Sequence, residues 1–277
     1  MEVVIAASAG FCMGVRRAIE IALQVAAEEK GPVYTYGPLI HNPQELEALR
    51  EKGVIVLSDS EPLPKAPVII RAHGVTPAVH ARLSREAERV VDVTCPKVAR
   101  IQKRIAEFST RGYAVVIAGD SDHPEVVGLV GHAEGNAYVV SSPADVDRLP
   151  ELDRVVLVAQ TTQDQQVFDA IRSRVLARFP HAQALSTICE STHRRQNSAR
   201  EVAQRVDAMV VIGGRNSANT RRLAEICASL EKPAYHIEVA GELPLDELRH
   251  FHRVGVTAGA STPAWIIEEV VRILAGL

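Results

Sequence analysis

The chain has 277 residues, of which 47% are hydrophobic, 23% charged and 4% aromatic, with a formal net charge of −3. That length suits about two domains, or three units of roughly 90 residues. The mildly acidic balance carries no basic footprint for nucleic acid, and no apolar run reaches the ~18 residues a membrane span needs, so the expected ligand is small.

In chain order, residues 3–7 form an apolar run that breaks at Gly10, and a helical pattern starts behind Cys12. A cysteine at a helix start meets unpaired backbone N–H groups and the positive end of the helix dipole, a place suited to a metal ligand or a nucleophile. The opening Met1-Glu2-Val3-Val4 lacks a basic n-region, which predicts no secretory signal and a cytoplasmic location. Residues 33–36 read as a strand leading through Gly37, His41 and Pro43 to a helix over 44–52, and 67–70 lead through His73-Gly74 to a helix over 77–88. Residues 90–93 run through Thr94-Cys95-Pro96 into a helix over 97–108, with Pro96 in the first turn, where no N–H partner is lost. Strand 114–118 leads to His123-Pro124-Glu125, and strand 154–159 leads to Gln160-Thr161-Thr162-Gln163 and a helix over 164–179. Ser186-Thr187-Ile188-Cys189 repeats the order strand, cysteine, helix, with the helix over 190–206. Strand 209–212 leads into Gly213 to Thr220, and 254–256 into Thr257 to Pro263; shorter edge strands fit 54–56, 138–140 and 235–237.

Apolar β-branched strands alternating with amphipathic helices predict an α/β protein with small parallel sheets. Cys12, Cys95 and Cys189 open equivalent helices at similar separations, so three related α/β domains are expected over 1–95, 96–187 and 188–277. Ligands of parallel sheets bind beyond the carboxyl ends of the strands. Cys12, His41, His73, Cys95, His123, Glu125, Thr161, Cys189, Ser217, Asn219 and Ser261 all fall there, and a pseudo-threefold trefoil would turn them toward one cavity.

A single strand-end cysteine is as readily a buried small hydrophobe as a ligand. Three in matching places favour a shared metal, and an iron–sulfur cluster held by three thiolates keeps one iron open for a substrate oxygen. The absence of C-x-x-C pairs argues against structural zinc, and Cys227 lies on an apolar helical stripe and reads as core. The Gly/Ser/Asn turns around Ser217, Asn219 and Ser261, and the histidines before Pro43 and Pro124, read singly as helix caps and together as a phosphate cradle. No G-x-x-x-x-G-K-[ST] and no strand-linked G-x-G-x-x-G occurs, so electrons are expected from an external carrier. Glu125, the one acidic group of the set, is either a first-turn carboxylate facing the helix dipole or a proton carrier.

The motifs A-G-F-C-M-G-V-R-R-A, R-A-H-G-V, D-V-T-C-P-K-V, H-P-E-V-V-G, Q-T-T-Q, I-C-E-S-T-H-R-R-Q, N-S-A-N-T-R-R-L and G-V-T-A-G-A-S-T-P run in order from the first cysteine to Pro263. Together they strongly resemble the 4-hydroxy-3-methylbut-2-enyl diphosphate reductase (LytB) family of the non-mevalonate isoprenoid pathway. The resemblance implies three α/β domains in a trefoil around a [4Fe–4S] cluster held by Cys12, Cys95 and Cys189. It implies an allylic diphosphate held by His41, His73, Ser217, Ala218, Asn219 and Ser261, with His123 nearby. Glu125 would relay protons, Thr161 would position the substrate hydroxyl, and Thr192 would lie close to that network. Ferredoxin or flavodoxin would supply two electrons for loss of water, giving isopentenyl and dimethylallyl diphosphate. Two positions depart from the family pattern: Ala218 stands where serine is common, removing one phosphate hydroxyl, and His193-Arg194 stand where smaller polar residues are usual. A cluster-dependent dehydratase such as quinolinate synthase would leave the diphosphate cradle unexplained. A redox sensor or electron-transfer protein without turnover would leave Glu125 and Thr161 unexplained.

Overall fold

A computed structural model describes residues 1–58 and 62–277. The apolar, β-branched runs form strands and the amphipathic stretches between them form helices. The first third carries β1 (Glu2–Ile5), α1 (Met13–Glu28), β2 (Val33–Tyr36), α2 (Pro43–Glu51), β3 (Val54–Leu57), β4 (Pro67–Ile70), α3 (Pro77–Glu86) and β5 (Arg89–Asp92). Then come α4 (Pro96–Ser109), β6 (Ala114–Ala118), α5 (Pro124–Gly131), β7 (Ala137–Val140), α6 (Pro143–Val146), β8 (Val155–Ala159), α7 (Gln165–Arg178) and β9 (Gln183–Ala184). The last third carries α8 (Glu190–Ala203), β10 (Ala208–Ile212), α9 (Ala218–Ala228), β11 (Ala234–Ile237), α10 (Leu245–Leu248), β12 (Arg253–Ala258) and α11 (Ala264–Ala275).

Among the described residues all strand pairs are parallel and make three four-stranded sheets, ordered β3-β2-β4-β5, β7-β6-β8-β9 and β11-β10-β12-β1. The three orders are the same order written three times, and the expected short strands β3, β7 and β11 each take an outer place. The expected division at 95 and 187 differs from this at the N-terminus: β1 pairs with β12, so the first strand completes the sheet of the last third. The repeat is therefore circular, each cysteine lying where the chain leaves the edge strand β1, β5 or β9 for the next sheet. The strand expected at 186–188 is also displaced, to the two residues of β9. There Thr187 turns its hydroxyl onto the Ala159 carbonyl and accepts from the Ala159 N–H, replacing ladder bonds with side-chain ones.

The chain forms two compact units. Met1–Arg16, His41–Glu47 and Glu190–Leu277 make one, containing the sheet of β1, β10, β11 and β12. Its central strand is buried on both faces: Val210 and Ile212 pack with Ile266, Val270 and Leu274 of α11, while Met209 and Val211 pack with Ala199 and Val202 of α8 and Leu223 of α9. The Glu2–Arg253 ion pair beside β1 is exposed and adds little, so apolar packing holds that strand.

Arg17–Ile40 and Ala48–Cys189 make the other unit, with two sheets. In the β6–β9 sheet, Val116, Leu157 and Ala159 pack with Phe168 and Ile171 of α7, and Val115, Ile117 and Val158 pack with Ile101 and Ile105 of α4 and Leu129 of α5. Truncating the fully buried Phe168 to Ala would cost about 3–5 kcal/mol, since a close-packed core cannot refill that volume.

Candidate functional site

Each of the three cysteines immediately precedes the first residue of a helix: Cys12 before α1, Cys95 before α4 and Cys189 before α8. Their backbone bonds match as well. Cys12 N–H donates to Ala260 O at 3.1 Å, Cys95 N–H to Ala72 O at 2.9 Å and Cys189 N–H to Thr161 O at 3.0 Å. Ala260, Ala72 and Thr161 each lie two residues beyond the end of the neighbouring strand, β12, β4 or β8. All three thiols are partly exposed and reduced. Val15 N–H at the start of α1 points at Cys12 Sγ over 3.5 Å. Cys227 differs: it is fully buried in the α8–α9 core, and burial pushes its thiol up to about 11, so it is the core residue expected.

In the two-sheet unit a continuous network joins its two cysteines. His73 follows Ala72, the acceptor for Cys95, and its ring meets that of His123 edge-on at 5.3 Å. His123 caps α5, its Nδ1 accepting from Glu125 N–H at 3.1 Å, so a neutral ring carries its proton on Nε2. Glu125 is 2% exposed. Its Oε1 accepts Thr161 N–H at 2.6 Å and its Oε2 accepts the Thr161 hydroxyl at 2.7 Å. Burial raises its pKa above the ordinary carboxylate value, against the opposing pull of the two Thr161 hydrogen bonds. Glu125 sits in the first turn of α5, and both of its carboxylate oxygens accept from Thr161 rather than from the helix's own N–H groups. Thr161 O in turn receives Cys189 N–H. Cys95, His73, His123, Glu125, Thr161 and Cys189 are thus brought together, from five strand ends in two sheets.

In the other unit the cradle residues are joined to Cys12. Ser217 caps α9, its Oγ accepting Thr220 N–H at 3.4 Å, which leaves the hydroxyl proton available to an anion. Ala218 opens that helix and is buried, offering a backbone N–H but no side-chain bond. Asn219 Oδ1 accepts Ala260 N–H at 3.1 Å, leaving its amide nitrogen as the donating end. Ala260 therefore bridges Asn219 on one side and Cys12 on the other. Ser261 donates its hydroxyl to His41 O at 3.0 Å, tying that histidine to the loop after β12. Gly213, at φ +140°, lies where a Cβ would strike the Thr262 and Thr220 hydroxyls, so only glycine lets β10 turn into the cradle. Thr192 is buried in the first turn of α8.

With this geometry in place, comparison with known proteins decides the family. A family model described as LytB protein matches residues 3–275. The chain belongs to the LytB family. Among LytB relatives named 4-hydroxy-3-methylbut-2-enyl diphosphate reductase, that of Geobacter sulfurreducens is 48% identical over 98% of this chain and 96% of its own length. That of Alkaliphilus oremlandii is 43% identical over 98% of both chains. A solved structure of (E)-4-hydroxy-3-methyl-but-2-enyl diphosphate reductase, the terminal enzyme of the non-mevalonate pathway, is 40% identical and superposes with a TM-score of 0.72 over all of both chains. The corresponding Plasmodium falciparum reductase, at 24% identity, shares the fold with a TM-score of 0.92 over 98% of this chain and 87% of its own. Among the described residues no helix is long and apolar enough to cross a membrane.

Two residues of these LytB networks escape a reading of motifs. Asn42 is fully buried and caps α2 by accepting Glu45 N–H at 2.8 Å; its place before Pro43 was the available signal. Arg195 is 3% exposed and donates to Gly10 O at 2.6 Å, although an arginine on a polar helix reads as solvated.

Proposed function

We propose that this LytB-family chain is an iron–sulfur reductase that removes the hydroxyl of (E)-4-hydroxy-3-methylbut-2-enyl diphosphate, yielding isopentenyl and dimethylallyl diphosphate and water from two electrons and two protons. The observation that carries the reading is the threefold cysteine placement, one partly exposed thiol per sheet before a helix, with matching N–H bonds. That donor set suits a [4Fe–4S] cluster: three soft sulfur ligands for four irons, with Cys227 unsuited by burial. Cys12, Cys95 and Cys189 would hold it, and when bound it supplies electrons and an open iron for the substrate oxygen.

The chain's own residues divide the remaining work. Ser217 Oγ–H, Asn219 Nδ2 and the N–H groups opening α9 hold the diphosphate with the positive end of that helix. His41 and Ser261 border the same cradle. Ala218 contributes its N–H alone, which weakens the grip by one hydroxyl. His123 presents its Nε2 side as a donor. Glu125, kept protonated further up the pH scale by burial, passes its Oε2 proton to Thr161 Oγ1, whose own proton moves to the departing hydroxyl. Single electrons come in succession from ferredoxin or flavodoxin in the cytoplasm, through a small, short-lived interface.

The test is an anaerobic assay of reconstituted protein with the allylic diphosphate and a reduced carrier. Isopentenyl and dimethylallyl diphosphate should form, and iron should be lost with activity on exposure to air. Cluster-loaded protein that binds the diphosphate without turning it over would refute the proposal. NADPH alone should give no product; turnover with it would refute the external donor.

A further inference from the structure

We propose that Arg195 is a positioning residue that clamps the loop carrying Cys12, and so controls how tightly the iron–sulfur cluster is held and at what potential it works. The inference rests on Cys12 being a cluster ligand. Arg195 stands on α8, the helix that opens directly after Cys189, and its side chain is 3% exposed. Burying a guanidinium costs several kcal/mol unless its donors are well used. Here Nη2 donates to Gly10 O at 2.6 Å and Nη1 to Ser191 O, one turn back on α8, at 3.2 Å. One planar fork thus ties a fixed helix to a carbonyl two residues before Cys12.

The clamped loop is held from other sides too. Gly10 has φ +95°, a backbone that favours glycine, and a Cβ there would lie 3.2 Å from Ile267 and 3.5 Å from Thr262 O. Cys12 N–H is fixed to Ala260 O. With Ala260 and α11 behind the loop, Arg195 opposes any outward swing of Gly10 and of the sulfur that follows. Its charge, fixed beside a ligand loop in a low-dielectric interior, also stabilises the more negative, reduced state of a cluster.

A merely structural role would move the melting temperature alone, so the test reads two other quantities. Wild type, Arg195→Lys, Arg195→Gln, Gly10→Ala and Cys12→Ser are reconstituted anaerobically, and iron release to a chelator and the EPR-monitored midpoint potential are measured. Lysine keeps the charge but cannot span two carbonyls. Both Arg195 variants should release iron roughly 10-fold or more faster, as loss of a group supporting a metal ligand commonly does. The potential should fall in Arg195→Gln and stay near wild type in Arg195→Lys. Gly10→Ala disturbs the same loop from its other side and should also speed release, which keeps the proposal open to test if Arg195→Gln does not fold. Wild-type iron release in Arg195→Lys and Gly10→Ala, beside a Cys12→Ser variant that has lost its cluster, would overturn the clamp. A Cys12→Ser variant with wild-type iron would instead overturn the ligand assignment.

Discussion

Replacing Glu125 by Gln exchanges a buried carboxyl for a neutral group of the same shape, and the hydrogen bonds around it say what should survive. Oε1 of the amide can still accept Thr161 N–H, and its Nε2 can donate to Thr161 Oγ1, reproducing the protonated acid without a transferable proton. Turnover should therefore fall by about 10²–10⁴, the usual worth of a positioned acid, equivalent to roughly 3–5 kcal/mol of barrier. Iron content and diphosphate affinity should stay within about twofold. Stability gives an independent check. Burial raises the folded-state pKa of Glu125, so the fold binds its proton more tightly than the unfolded chain does. The wild type thus loses stability as pH rises from the ordinary carboxylate value of 4.5 through the folded pKa, and the neutral variant does not. Melting curves should coincide for the two proteins near pH 4 and separate in favour of Glu125→Gln as pH rises. A variant turning over within about threefold of wild type would refute the proton-carrier role, and a parallel pH dependence would refute the burial argument.

Ser substitution of Cys12, Cys95 or Cys189 should abolish cluster absorbance, whereas Cys227→Ser should keep it and lose about 1–3 kcal/mol of stability, because a hydroxyl replaces a thiol in an apolar core; equal iron in all four would sink the assignment. Asn219→Ala should weaken diphosphate binding by 10-fold or more, read by calorimetry, since bonds to charged groups are worth about 1.5–3 kcal/mol. It should also loosen Ala260, whose N–H loses its acceptor. Asp145, which accepts from the N–H and hydroxyl groups of Ser141 and Ser142, has its pKa lowered to about 2 by those bonds. Its cap on α6 contributes above the ordinary value of 3.8 and is lost as pH falls through 2, so Asp145→Asn should lower the melting temperature at pH 6 and make no difference near pH 2. An equal loss at both pH values would point to side-chain shape rather than charge.

Much of this protein was legible in its sequence because the governing physics is local. Val115 to Ala118 and Val155 to Ala159 announce buried parallel strands by continuous apolar content, and the shorter runs at 54–56, 138–140 and 235–237 announce edges. The place of Cys12, Cys95 and Cys189 at helix starts, and of Ser217 at a cap, also follows from neighbours within one turn. Tertiary structure alone decided that β1 closes the sheet of β10, β11 and β12, since parallel pairing between Val3 and Val254 depends on no nearby residue. It alone spent both oxygens of Glu125 on Thr161, 36 residues away, which turns a capping carboxylate into a buried acid. It alone buried Arg195 against Gly10: pattern assigns a long charged side chain to solvent, and only packing from a distant part of the chain removes the water and supplies the carbonyl that replaces it.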